Sequence, residues 1–454
     1  MSATQTTKPA QRERTLQAMS ELVASRGYAR TTVAQITQRA HTSRTAFYEH
    51  FEDKEDCFIA AHAALAQSLI GEVRQTVDAS DPSAAAQSAI GALAAFAERE
   101  PGAFYLLTHE AMLAGPRGWQ AREELLEHLE SAIEAAWAQA DGERAVPDIP
   151  AQLLVGATIR LLGLHMRRGE RDHARLLSGL EEWIAMYLAP AQTRRWRKLR
   201  SCAALCEAEP ELPAVPAAPQ PLPKGRHRRD PAVVRAMQRE RILHAAAEAV
   251  RSKRHADVSV AEIVAAAGVS RDVFYTHFHN KTEALLGAQA LAYEQLIGVC
   301  TRVFYNSSAT WPERFWETGE AFARFLGGSP TLSYLAFVES YALGPQGVKR
   351  IDDGAWAYSQ FLHAGYRAMA PDIPPLVLEA LICTLLEPIA NQIRHDRARE
   401  VRGQMPVLYY MVMTPLLGRQ AASELAERKI HEAEAEAEAA RARRDGRVRS
   451  ARDA

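Results

Sequence analysis

The sequence predicts an all-α protein made of two tandem units, and three observations carry that prediction. Almost no segment alternates apolar and polar residues as a half-buried strand must, whereas apolar stripes at three- and four-residue spacing recur along the chain. At 454 residues and 47% hydrophobic content the chain is too long for one core and apolar enough for several. It also repeats itself: residues 46 to 56 read AFYEHFEDKED and residues 273 to 283 read VFYTHFHNKTE, an offset of 227.

The repeat extends well beyond that frame. Residues 12 to 51 align without a gap onto residues 239 to 278; PGAFYLLTHEAMLAGPRG (101 to 118) parallels PTLSYLAFVESYALGPQG (330 to 347); and 148 to 164 match 372 to 388. Two whole units of about 200 residues were therefore joined. Between them CEAEPELPAVPAAPQPLPKGRHRRDP is so rich in proline that it predicts an extended, solvated linker, able to span on the order of 70 Å at roughly 3.1 Å per residue. After Glu424 the chain is Ala/Glu-rich and then Arg-rich, which predicts a helix that frays into a solvated tail.

Within each unit the first helix carries the stripe Leu16, Met19, Val23, answered by Leu243, Ala246, Val250. Thr32 and Ser259 stand three residues before Gln35 and Glu262, a capping box that starts a two-turn helix with Val33, Ile36 and Ala40 (or Val260, Ile263 and Ala267) inward. The following turn has Gly268 in the second copy, free to adopt a left-handed backbone, and His41 in the first, which adopts it with some strain. Ser43 and Ser270 cap a third helix whose Phe47 and Phe51, or Phe274 and Phe278, face the core and leave Arg44, Thr45 and Tyr48 on other faces. Asp53 and Asn280 cap a fourth helix that begins with Lys54 or Lys281. A cation at that position opposes the helix dipole unless an anion lies nearby, and a phosphate would explain both lysines.

Two short helices, a tight turn and an aromatic helix form a helix-turn-helix. With the string FYEHFEDKEDCF and its partner FYTHFHNKTEALL, near the start of helical units of about 200 residues, the sequence resembles the tetracycline-repressor (TetR) family. The resemblance is tight over residues 12 to 58 and 239 to 286. It implies two tandem TetR-like units, each a three-helix helix-turn-helix DNA-binding domain followed by a helical effector and dimerisation bundle. The expected domains are 9-57 and 58-200, a linker with a basic arm at 201-233, then 234-285 and 286-420, and a charged tail at 421-454.

The resemblance also implies roles. Phosphate contacts fall to Thr32, Tyr48, His50 and Lys54 and to Ser259, Tyr275, His277 and Lys281; base-edge contacts fall to Arg44 and Thr45 and to Arg271 and Asp272. Thr45 against Asp272 predicts two different half-sites, because a hydroxyl bonds permissively while a carboxylate accepts from cytosine. Dimerisation falls to 150 to 168 with 173 to 189 and to 374 to 395 with 398 to 416, as an intramolecular pseudo-dimer or a homodimer. Lys224, Arg226, Arg228 and Arg229 resemble an arm for the minor groove. A small apolar or aromatic effector is expected near Tyr105, His109 and Glu110, and near Tyr334 and Glu339.

Composition narrows the rest. With 54 basic and 55 acidic residues the chain is near neutral, so the expected partner, a double-stranded DNA operator, rests on local pattern. The absence of G-x-S-x-G, HExxH or a phosphate-cradling glycine loop argues against an enzyme, and no cofactor or metal is expected. Five cysteines without paired spacing and no apolar leader place the expected protein in the cytoplasm, with no membrane partner. The competing reading is a co-regulator or protein-interaction module with degenerate readers, suggested by His41, Asp272 and the balance of seven bases against seven acids in residues 11 to 60.

Overall fold

Capping chemistry sets the helix boundaries in the computed structural model, which describes residues 3–77, 82–139, 149–170, 172–187, 202–207, 220, 230–253 and 257–452. Among these residues every regular element is helical. The chain divides into unit 1, residues 1–193 with 374–384, and unit 2, residues 194–373 with 385–454.

Unit 1 opens with α1 (Ala3–Arg26), α2 (Val33–Arg39), α3 (Arg44–Tyr48) and α4 (Lys54–Thr76). Thr32, Ser43 and Asp53 accept from the amides of Gln35, Ala46 and Asp56, so three of the exposed helix starts are satisfied by their own side chains. Leu16, Met19, Val23, Ile36, Phe47, Phe51 and Phe58 form one buried cluster that continues into Leu106 and Ala111 of the following bundle. That bundle comprises α5 (Pro82–Arg99), α6 (Pro101–Tyr105), a π-helical turn (Leu106–Glu110), α7 (Ala111–Leu113), α8 (Pro116–Gln139), α9 (Ala151–Arg168) and α10 (His173–Ala185). Residues 374–384 complete the unit: Glu379 accepts from His165 Nε2 at 3.0 Å and from Arg168 at 2.9 Å.

Unit 2 begins with α11 (Ala203–Glu207), then α12 (Pro231–Ser252), α13 (Val260–Ala267), α14 (Arg271–His277) and α15 (Lys281–Asn306). Its bundle follows as α16 (Trp311–Gly328), α17 (Pro330–Phe337), a 3-10 turn (Glu339–Leu343), α18 (Pro345–Met369), the later part of α19 (Pro375–Arg394), α20 (Val401–Leu417) and α21 (Arg419–Arg452). The aromatic residues are mostly core. Trp311 stacks on Phe315 at 5.2 Å and donates to the Phe361 carbonyl, and Tyr366 donates to that of Val412. Tyr305 and Trp356 stand out from it, 64% and 60% exposed.

Most of the expected linker, 208–219 and 221–229, lies outside the described residues; at its start α11 is helical, the Cys202 amide donates to the Gly403 carbonyl at 2.8 Å, and Arg441 pairs with Glu207. The tail, expected to be solvated, is partly packed. Ala422, Ala426, Ala433 and Ala437 recur on one face of α21 and are buried, while Lys429 holds Glu313 at 2.5 Å. Small side chains let α21 approach α20 closely, and charge composition hides such a stripe. Helix α19 is long and apolar enough to cross a membrane, yet Val377, Ala380, Leu381 and Ile393 are packed within the protein. The basic arm at 224–229 and the basic stretch 193–201 lie outside the described residues.

Candidate nucleic-acid interface

The two helix-turn-helix motifs are built by the same devices. Each second helix starts at a complete capping box, Thr32 with Gln35 and Ser259 with Glu262. Each ends in a left-handed residue, His41 at φ 51° and Gly268 at φ 58°, with the next amide reaching back to close the turn: Thr42 to the Thr37 carbonyl and Val269 to that of Val264. An arginine of the first helix then binds the last carbonyl, Arg14 to Ala40 at 3.4 Å and Arg241 to Ala267. Arg12 lies over the Phe51 ring and Arg239 over Phe278. The four arginines are identical in both copies, and that identity is the sequence signal for their role in supporting the motif.

Buried phenylalanines fix what the third helix shows. Phe47 and Phe274 are fully buried, so Tyr48 and Tyr275 on the next helical position stand out from the protein, 57% and 55% exposed. Arg44, Thr45, Arg271 and Asp272 are exposed on the first turn of the same helices, and Thr32 and Ser259 are exposed at the starts of theirs. Each of these residues is exposed in its own copy, and the hydroxyl of Thr45 is replaced by the carboxylate of Asp272.

The lysines and histidines differ from expectation. Lys54 Nζ donates to the Tyr28 carbonyl at 3.0 Å and lies 3.9 Å from the Tyr28 ring, and burial lowers its pKa. Lys281 Nζ donates to the Val258 carbonyl at 2.7 Å. The opposition between a cation and the helix dipole is thus relieved by a loop carbonyl inside the protein. His50 and His277 each bury Nε2 without a hydrogen-bond partner, so a phosphate would meet these rings through Nδ1 or after they rotate.

The residues assigned to an effector separate into two groups. Tyr105 and His109 stack at 4.4 Å. Glu110 instead turns to the reader: its Oε2 accepts from the Tyr28 amide at 2.7 Å, packs beside Gly27, and burial raises its pKa. Tyr28 is thereby held on both sides of its peptide and through its ring, a node that no sequence signal marked. In unit 2 the equivalent region uses another solution, with Arg251 over the Tyr334 ring and bonded to Asp396 at 2.7 Å. Glu339 is half-buried there and its charge raises the Tyr334 pKa, after burial as the larger cause.

Comparison with known proteins matches the description "Bacterial regulatory proteins, tetR family" to residues 16–61 and 242–288. Nucleoid occlusion factor SlmA of Aliivibrio fischeri is 32% identical over 108 residues, 23% of this chain and 55% of that protein. SlmA of Marinobacter nauticus is 29% identical over 131 residues, 28% of this chain and 67% of that one. The chain thus spans about half the length of the first of these relatives. Among solved structures, a FadR regulator from Bacillus subtilis in complex with stearoyl-CoA aligns with TM-score 0.33 and 17% identity, over 39% of this chain and 97% of that one. PfmR of Thermus thermophilus gives 0.31 and 22%, over 39% and 98%.

Proposed function

Because the chain belongs to the tetR family of bacterial regulatory proteins, we propose that it is a DNA-binding transcriptional regulator, a ligand-responsive repressor whose two motifs read non-identical operator half-sites. The observation that carries this reading is the duplicated surface: an exposed tyrosine beside an exposed arginine on each third helix, held by identical buried phenylalanines, with Thr45 exchanged for Asp272. Arginine and hydroxyl groups suit phosphate and guanine, whereas a carboxylate accepts from cytosine and is repelled by phosphate. Each motif therefore favours a different base where these side chains reach.

Two readers on one chain supply what a duplex site of two half-sites needs, so the assembly proposed is an intramolecular pseudo-dimer. Repression is relieved when an effector prefers the conformation with displaced readers; about 1.4 kcal/mol of preference changes affinity tenfold.

Selection of duplexes from a random pool tests the reading, combined with solution mass and footprint length. The expected result is an asymmetric site bound by one chain, with affinity falling steeply as salt rises. Selection of no sequence would favour a co-regulator, and equal affinity for a perfect palindrome would remove the claim of distinct half-sites.

A further inference from the structure

We propose that the two readers are electrostatically unequal: the second is the phosphate anchor, through an uncommitted Arg235 beside Thr276, while the first is attenuated because Glu49 holds Lys8. The inference rests on the DNA-binding reading and deepens it, by naming which motif supplies the sequence-independent affinity.

The two motifs pack alike, so aligned positions are equivalent places in the fold. Arg14 and Arg241 bind the last carbonyls of their second helices, and Arg12 and Arg239 lie 5.7 and 5.5 Å from the rings of Phe51 and Phe278. The first helix therefore meets the third in the same register in each copy. One turn before Arg12, α1 reaches the end of α3: Lys8 Nζ lies 3.2 Å from Glu49 Oε2. The corresponding residues of α12 and α14 are Arg235 and Thr276, both exposed. Arg235 forms no hydrogen bond or ion pair among the described residues. Burial, and after it the charges of Arg239 and Arg235, lower the pKa of His277, in keeping with both guanidinium groups lying on the α14 side of α12.

The difference continues past the third helix. Glu52 and Asp53 are exposed where the second copy has His279 and Asn280, also exposed. Asp53 and Asn280 cap the next helix equally well, so capping does not demand the charge. Over residues 44–54, Arg44 and Lys54 stand against three carboxylates; over residues 271–281, Arg271 and Lys281 stand against Asp272 alone.

An exposed ion pair contributes little to stability, and its effect here is on an approaching polyanion. A lysine already neutralised by a glutamate displaces no counterion from a phosphate, whereas an arginine with its planar fork unengaged does. Within a Debye length of the backbone the carboxylates of the first reader also repel it. The second reader thus docks by charge. The first adds binding only where its base-edge contacts fit, which makes its half-site the discriminating one.

Fluorescence anisotropy of the full chain with a labelled pool of random-sequence duplexes, at several salt concentrations, isolates the phosphate contribution. All four positions are exposed, and far-ultraviolet circular dichroism confirms that each variant is folded. Arg235→Gln should weaken binding roughly tenfold at about 0.1 M salt and reduce the slope of log K against log salt by about 0.9, whereas Lys8→Gln should change neither. Thr276→Glu should cause at least the loss seen in Arg235→Gln. Glu49→Thr should free Lys8, tightening binding and steepening the slope by about 0.9, and adding Lys8→Gln to it should abolish the gain. Equal effects of Arg235→Gln and Lys8→Gln, or no gain in Glu49→Thr, would overturn the hierarchy. If a duplex is still selected from the pool, that result leaves the regulator reading standing; a chain that binds no duplex even at low salt overturns both.

Discussion

Replacing Lys54 and Lys281 by glutamine separates the two roles these side chains combine. Within the protein, Lys54 contributes a charged hydrogen bond to the Tyr28 carbonyl at 3.0 Å and a cation–ring contact at 3.9 Å, and Lys281 a bond to the Val258 carbonyl at 2.7 Å. Bonds to charged groups contribute about 1.5–3 kcal/mol and partly exposed cation–ring contacts about 0.5–1 kcal/mol. For Lys54, half-burial lowers the ammonium's own pKa and offsets part of this, leaving an expected loss of about 1–2 kcal/mol in Lys54→Gln. Urea denaturation measures that loss as a lower midpoint at unchanged slope. Toward DNA, each lysine that also meets a phosphate contributes about 0.9 to the slope of log K against log salt. The double variant should therefore bind the selected duplex more weakly, with a slope reduced by about 1.8. An unchanged slope together with a lowered urea midpoint would refute the phosphate role and leave the lysines as loop braces.

Three further outcomes follow from the same geometry. Gly268→Ala should cost about 1–2 kcal/mol, because the left-handed backbone penalises a Cβ and that Cβ crowds Arg241; His41→Gly should change stability by under about 1 kcal/mol, since relief of strain is offset by a more flexible unfolded chain. Both are read from urea midpoints. Burial holds His62 at about 4 and His109 at about 3, so both rings fold neutral, and their contribution is intact above pH 6.5 and lost as pH falls below it. By linkage the loss is about 2 kcal/mol per ring at pH 5; Glu110, with its pKa raised, acts with the opposite sign as carboxylates titrate. His62→Gln, which places there the residue found at aligned position 289, should flatten the fall in midpoint between pH 7 and 5, and an unchanged fall would exclude His62 as its source. Arg402 and Glu320 form a buried pair at 3.0 Å, so Arg402→Met should cost about 3–5 kcal/mol and the double variant with Glu320→Leu should recover most of it in thermal denaturation.

Local chemistry was legible without coordinates. Thr32, Ser43, Asp53 and their counterparts cap the helices that their spacing to the next polar residue implied, and Phe47 and Phe274 turn inward because the residues four positions on do so too. Such signals operate within one or two turns. What joins distant segments was not legible: Glu110 meets Tyr28 across 82 positions, and the alanines of α21 pack beneath a surface that reads as charged. The lysines were read as needing an anion because a helix dipole is visible in sequence, while the carbonyl that meets each one belongs to a loop some two dozen residues earlier.

By itself the sequence determined that there are two copies, that each is helical, and which side chains start and cap the motif, because periodicity and capping depend on neighbours along the chain. Only the tertiary structure decided that Tyr28 is clamped between reader and bundle and that residues 374–384 belong with the first unit. Those facts depend on which faces meet when helices pack, a choice made by the whole core and left open by any single stretch of chain.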